Sequence, residues 1–148
     1  MPLIDKILKD NNINTKDLNK IAVCVGPGSF TGTRIGVTIA KVLAYSLNIE
    51  IVTLTSLDLV GLNLDEESYV SVSENNGSFI CLYNKKQIGD IKYLKDDKYE
   101  EFIKDNKVIS NCPIDESKLI NFINTLKAQN AFNVNPMYVK TIEALNDK

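Results

Sequence analysis

The segment with the most specific chemistry is Gly26-Pro27-Gly28-Ser29-Phe30-Thr31-Gly32-Thr33-Arg34-Ile35-Gly36. Glycines at 26, 28 and 32 permit positive φ and close backbone approach, Pro27 stiffens the turn, and Ser29 or Thr31 can cap a following helix. Such a bend gathers backbone N–H groups into a concave surface, and a helix N-terminus adds partial positive charge, so a phosphate is one occupant it suits. The spacing nevertheless matches neither common phosphate loop. No Gly-Lys-Ser/Thr follows at the required distance, and Thr31 stands where the dinucleotide pattern GxGxxG needs its third glycine. The segment reads as a structural turn, with a phosphate cradle as the alternative. Arg34 sharpens the question because it is the only arginine of a lysine-rich chain, where a planar forked donor cannot be replaced by lysine. A cation in the first turn of a helix opposes the macrodipole, at about 0.3–1 kcal/mol when exposed. Compensation can come from a carboxylate of the same chain, or from a carboxylate or phosphate brought by a partner or ligand.

Little else in the chain points to catalysis. Histidine is absent, which removes the commonest general base and metal ligand. Cys24, Cys81 and Cys112 lie far apart with no CxxC pair, and their odd number reads as reduced thiols without a disulfide. Asp58, Asp65 and Glu66 are isolated carboxylates suited to capping or solvation. A net charge of -2 weighs against gripping nucleic acid unaided, since phosphate affinity comes from clustered Lys and Arg. No apolar run approaches the roughly 20 residues that span a bilayer, and Met1-Pro2-Leu3-Ile4-Asp5 does not resemble a signal peptide. The expectation is a cytoplasmic protein with no catalytic residue, cofactor, metal or membrane contact.

The elements around the glycine-rich segment are of α/β type. Leu3, Ile4, Ile7 and Leu8 have helical spacing in an opening segment that ends at Asn11-Asn12, and Thr15 can cap a short turn. Ile21 to Val25 is an unbroken apolar run, the pattern of a strand covered on both faces in a parallel sheet. Ile35, Ile39, Val42, Leu43 and Leu47 mark a helix from Gly32 to Leu47, with Arg34, Thr38, Lys41 and Tyr45 along another stripe. Glu50 to Leu54 is the next strand, and Ser56 can cap a short helix through Leu62. The polar stretch Asn63 to Ser68 suits a boundary, dividing the chain into residues 1–62 and 63–148. Beyond it, Tyr69–Ser73 and Phe79–Tyr83 form a hairpin around Glu74-Asn75-Asn76-Gly77-Ser78. A strand at Gln87–Leu94, a polar helix near Lys98–Lys104 and a brief strand at Lys107–Ser110 follow. Asp115 can cap a helix with the stripe Leu119, Ile120, Ile123 and Leu126, and Thr141–Lys148 reads as a frayed tail.

The eleven-residue segment resembles the signature of the TsaB (YeaZ) family, Gly-Pro-Gly-Ser-Phe-Thr-Gly-Leu-Arg-Ile-Gly followed by Ala-Lys, here Ala40-Lys41, with Thr33 replacing the family's leucine. The likeness extends to Leu3–Leu8, to Thr53–Leu57, and to Pro136-Met137-Tyr138-Val139-Lys140, which is similar to the family's closing Pro-x-Tyr-Leu-Arg. It departs at Ser73-Glu74-Asn75, where the family often has Asp-Ala-Arg. The resemblance implies an actin and RNase H-like (ASKHA) fold of two lobes, the first incomplete in residues 1–62 and the second a smaller α+β lobe in 63–148. It also implies a non-catalytic scaffold subunit of the complex that places threonylcarbamoyl on a tRNA adenosine, although the family was once labelled glycoprotease-like. The implied partners are a TsaD homologue, a TsaE-type ATPase through the complex, a second copy as the alternative pairing, and tRNA only indirectly. By the same resemblance Leu3, Ile7, Thr38, Lys41 and Tyr45 are the candidate contacts, the other reading of such stripes being core.

Relative to that family, the chain starts at its first helix, without the opening strand, hairpin and second strand. The strand at Ile21–Val25 would then keep one unpaired edge, which invites association with another chain or aggregation. Two other functions compete: a small nucleotide- or phosphate-binding ATPase or phosphotransferase of the same superfamily, and a degenerate remnant without function.

Overall fold

A computed structural model describes residues 2–139. The opening helix, α1 (Pro2–Asp10), begins with proline in its first turn, where the missing N–H costs nothing. None of its residues is buried, and Leu3 and Ile7 are 70% and 52% exposed. A 3-10 turn at Thr15–Asp17 follows, capped by Asn14 and not by Thr15: the Asn14 N–H donates to the Asp17 carboxylate at 2.9 Å.

Strand β1 (Lys20–Cys24), helix α2 (Phe30–Leu47) and strand β2 (Glu50–Leu54) form a parallel β-α-β unit in register from Lys20 opposite Glu50 to Cys24 opposite Leu54. The helix ends at Asn48, whose left-handed conformation closes its C-terminus (φ 53°). Its buried stripe is Val37, Ala40 and Ala44, not the larger residues that the spacing singles out: Ile35 and Val42 are 56% and 58% exposed. Small side chains let the helix sit close on the sheet, where Val23, Val25 and Ile51 complete the first core. Among the described residues β1 pairs only with β2, so its other edge is open, as the sequence predicts.

Helix α3 (Ser56–Gly61) leads to the second sheet, built from β3 (Ser68–Glu74), β4 (Gly77–Tyr83), β5 (Gln87–Lys95) and β6 (Val108–Ile109) in the order β5-β4-β3-β6. The hairpin is tighter than expected, because Glu74 pairs with Gly77 and only Asn75-Asn76 turn. A side chain at 77 would lie 2.1 Å from the Leu94 carbonyl oxygen, so only glycine fits there. Helix α4 (Asp96–Asp105) covers part of this sheet, with the Tyr99 and Ser71 hydroxyls hydrogen-bonded at 2.8 Å and Phe102 edge-on to Tyr69. Leu57 of α3 joins Val70, Phe79, Cys81 and Tyr83 in the second core. Helix α5 (Glu116–Thr125) has its N-cap at Asp115, as expected, but Ile120 of the expected apolar stripe is 58% exposed.

After α5 the chain returns to the first sheet. Gln129 N–H donates to the Ile51 carbonyl at 2.9 Å, a 3-10 turn at Ala131–Asn133 packs on α2, and Val134 enters the first core at 1% exposure. The expected frayed tail, Thr141–Lys148, lies outside the described residues.

Candidate functional site

The glycine-rich bend joins β1 to α2 and is held on several sides. Gly26 is buried with φ of +100°, a backbone conformation that strains any residue with a side chain. The Gly26 carbonyl accepts from Ser56 N–H at 3.0 Å, and the Pro27 carbonyl accepts from the Ser56 hydroxyl. One residue earlier, Val25 N–H donates to the Leu54 carbonyl (2.9 Å) while its own carbonyl accepts from Met137 N–H (2.7 Å). Ser29 is the N-cap, its hydroxyl accepting from Gly32 N–H at 3.2 Å and its carbonyl from Thr33 N–H at 2.9 Å. Thr31 lies within the first turn and is exposed. Two donors that a phosphate would need are thereby engaged, and the bend acts as a joint that fixes the direction of α2. Gly36 has nothing within 4 Å of a built Cβ and faces the groove between α1 and α2.

The same-chain carboxylate expected for Arg34 is not the compensation it finds. No carboxylate among the described residues pairs with it; its Nε donates to the Tyr138 hydroxyl at 2.8 Å and its guanidinium lies 3.8 Å from the Phe30 ring centroid. The arrangement is an aromatic clamp with a cation–π contribution. Phe30 and Tyr138 close it with ring centroids 5.7 Å apart.

Two turns along, Lys41 Nζ donates to the Phe132 carbonyl at 3.3 Å, and Tyr45 packs edge-on against Phe132 at 5.1 Å. Thr38, Lys41, Val42, Tyr45, Ala131 and Phe132 line a shallow cavity of about 270 Å³. Ile7 instead lines a second, apolar groove of about 450 Å³ between α1, β1 and α2, and Leu3 lines neither. The structure thus brings Thr38, Lys41 and Tyr45 together and leaves Leu3 and Ile7 apart from them. Sequence reasoning missed Phe132 and Tyr138 as members of this face. The Pro136–Lys140 segment was visible as a motif, but nothing local tied it to Arg34, 104 positions away from Tyr138.

The remaining reactive groups have structural surroundings. Thr55, and not Ser56, caps α3: Asp58 N–H donates to the Thr55 hydroxyl (3.0 Å) and the Asp58 carboxylate accepts from Thr55 N–H (2.7 Å) and hydroxyl (2.8 Å). Asp65 and Glu66 face Lys118 and Lys107 at 4.0 and 3.5 Å on the surface. Burial, with Asp58 nearby, pushes the Cys81 thiol up to about 11, and burial raises Cys24 as well. Both thiols are therefore protonated and poorly nucleophilic at neutral pH. Burial and the adjacent Asp58 carboxylate push the Tyr83 phenol far up too, although its buried hydroxyl makes no hydrogen bond of good geometry. No group of three or more Cys, Asp or Glu among the described residues is placed to hold a metal ion. No helix among them is long and apolar enough to cross a membrane.

Comparison with known proteins bears on this geometry at three levels. A family model described as TsaD: tRNA N6-adenosine threonylcarbamoyltransferase matches residues 1–141. The tRNA threonylcarbamoyladenosine biosynthesis protein TsaB of Bacillus subtilis is 49% identical over 63 residues, which cover 43% of this chain and 28% of that protein. The protein of the same name from Buchnera aphidicola subsp. Acyrthosiphon pisum is 28% identical over 155 residues, covering 94% of this chain and 66% of the relative. This chain thus spans less than a third of the B. subtilis relative it matches. YeaZ from Pseudomonas aeruginosa superposes with a TM-score of 0.73 at 17% identity, covering 92% of this chain and 82% of that one. Likeness at that identity establishes a shared α/β fold.

Proposed function

This chain belongs to the family described as TsaD: tRNA N6-adenosine threonylcarbamoyltransferase, within which it is a TsaB (YeaZ) relative, and from that premise we propose that it is a non-catalytic scaffold subunit of tRNA threonylcarbamoyladenosine formation. Its partner in this reading is a TsaD-type transferase, docked through the exposed side of α2 with help from α1. A TsaE-type ATPase joins through the complex, tRNA is met indirectly, and the setting is cytoplasmic. Residues 1–62 form the docking lobe and residues 63–148 the second lobe, whose returning segment 129–138 braces the docking helix.

The observation that carries this reading is the way the motif spends its polar groups. Ser29, Gly26 and Pro27 use theirs to fix the bend, and Arg34 is turned along the helix onto Phe30 and Tyr138. A phosphotransferase would instead aim a cation and free N–H groups into one pocket beside a base. Aromatic and apolar side chains with large exposure line α2 at Tyr45 (67%) and Phe132 (67%), the composition of a protein-binding surface. Homodimerisation through the same helices is the second reading, favoured by the exposed Leu3 and Ile7 of α1.

Reconstitution tests the proposal. The cognate TsaD-type transferase, with the other components of threonylcarbamoyl transfer, is assayed on tRNA with and without this chain. The expected result is a stable complex and modification that depends on the chain, with no transfer by the chain alone. Full modification in its absence, or turnover by the chain itself, would overturn the scaffold role.

A further inference from the structure

We propose that the exposed stripe of α2 is shaped for an amphipathic helix of a different protein carrying two carboxylates seven residues apart, one meeting Arg34 and the other Lys41. The inference rests on the docking role of α2 proposed above and specifies the chemistry of what docks. Arg34 and Lys41 are themselves seven residues apart, about two turns and roughly 10 Å of helix rise, and so share one side. Although the chain has 19 acidic residues, α2 has none. Some lysines elsewhere do sit beside carboxylates, namely Lys6 with Asp10, Lys20 with Glu50, Lys107 with Glu66 and Lys118 with Asp65. Among the described residues Arg34 and Lys41 have no such partner, yet both are held in place.

Their anchors are neutral oxygens and rings. Arg34 is fixed through Nε by Tyr138 and by stacking on Phe30, which leaves the two terminal guanidinium nitrogens for a forked acceptor. Lys41 spends one donor on the Phe132 carbonyl and keeps the others. Holding both cations beforehand removes part of the ordering cost of binding. Between and beside them, Thr38, Val42 and Tyr45 with Phe132 supply the apolar floor that a helix's hydrophobic stripe fills.

The charge pattern also argues against a second copy of this chain. An isologous contact between two α2 stripes would bring cations to cations with no anion to separate them. Helix α1 does not supply the complement: its carboxylates Asp5 and Asp10 are five residues apart, about 140° around the helix, and so do not share a side.

The test titrates the full chain with the cognate TsaD-type transferase at low and high salt, using wild type, Lys41→Glu and Arg34→Gln, with circular dichroism melts to verify folding. Wild type is expected to bind and to weaken several-fold as salt rises. Folded Lys41→Glu should lose roughly tenfold or more, and reversing the charge of one helix carboxylate on the transferase should restore it. Tight binding that ignores both salt and Lys41→Glu overturns this inference and leaves the docking reading standing. No binding by wild type overturns the docking reading and this inference with it. Self-association by sedimentation that Val42→Asp abolishes would identify a second copy as the occupant and likewise overturn it.

Discussion

Strand β4 lies between β3 and β5 and buries six of its seven residues, whereas β1 has a single pairing partner among the described residues and only Val23 of its five is buried. The difference carries over to the helices. Leu57 of α3 and the tyrosine ring of Tyr83 are completely enclosed in the second sheet's core, while α1 buries nothing and α2 leaves Ile35, Val42 and Tyr45 in the open. The second region encloses a sheet core between its central strands and α3, whereas the first leaves one edge of β1 unpaired among the described residues and apolar side chains of α1 and α2 in the open. Stability and recognition are thereby separated in the chain. Mutations should divide along the same line.

The largest effect is expected in the second core. Leu57→Ala, at a site with no exposure, should cost about 2–5 kcal/mol in urea unfolding through lost burial and a cavity. A cost under about 1 kcal/mol would mean that this core is looser than the packing implies. Gly61→Ala comes next: its new methyl would lie 2.4 Å from the Tyr83 ring, an overpacking expected to cost about 1–3 kcal/mol. Both figures should exceed anything obtained from single changes on the outer stripe of α2.

Alkaline pH offers a milder probe of the same core. The Cys81 thiol is raised from 9.0 to about 11 by burial, so the folded state holds its proton where the unfolded state releases it. That contribution is complete below pH 9 and is lost as pH rises toward 11, with Tyr83 adding to the loss at higher pH. Denaturant midpoints across this range should fall for wild type and fall less for Cys81→Ala, after allowing for the variant's lower baseline. Smaller still is Tyr83→Phe, which removes a buried hydroxyl that makes no hydrogen bond of good geometry and should leave stability within about 1 kcal/mol of wild type or raise it. A clear loss would show that the hydroxyl does bond to the adjacent Asp58 carboxylate. Least of all should Val42→Asp disturb unfolding, by about 0.5 kcal/mol or less at an exposed site, while it weakens transferase binding. Equal sensitivity of both properties would erase the distinction between the two regions.

Local patterning made most of the elements legible. The Ile21–Val25 run, the hairpin chemistry around Asn75-Asn76 and the Asp115 cap each reflect contacts within a few residues, and each appears within a residue or two of its expected place. Capping was read one position off at Asn14 and Thr55, since Ser, Thr, Asn and Asp compete for the same backbone donors. The buried stripe of α2 was not legible. With apolar residues at Ile35, Val37, Ile39, Ala40, Val42, Leu43 and Ala44, nearly every side of that helix is hydrophobic, and periodicity cannot choose among them.

By itself, the sequence determined the α/β character, the bend from Gly26 to Gly36 and the resemblance that led to a family, because these rest on residue types at fixed short spacings. The tertiary structure decided which side of α2 is buried and what Arg34 touches. Those outcomes depend on Ala40 and Ala44 allowing close approach to β1 and on residues 129–138 returning to the first sheet. The Arg34–Tyr138 contact spans 104 positions, and such a pairing follows from closure of the whole fold, leaving no local signature in either residue's neighbours.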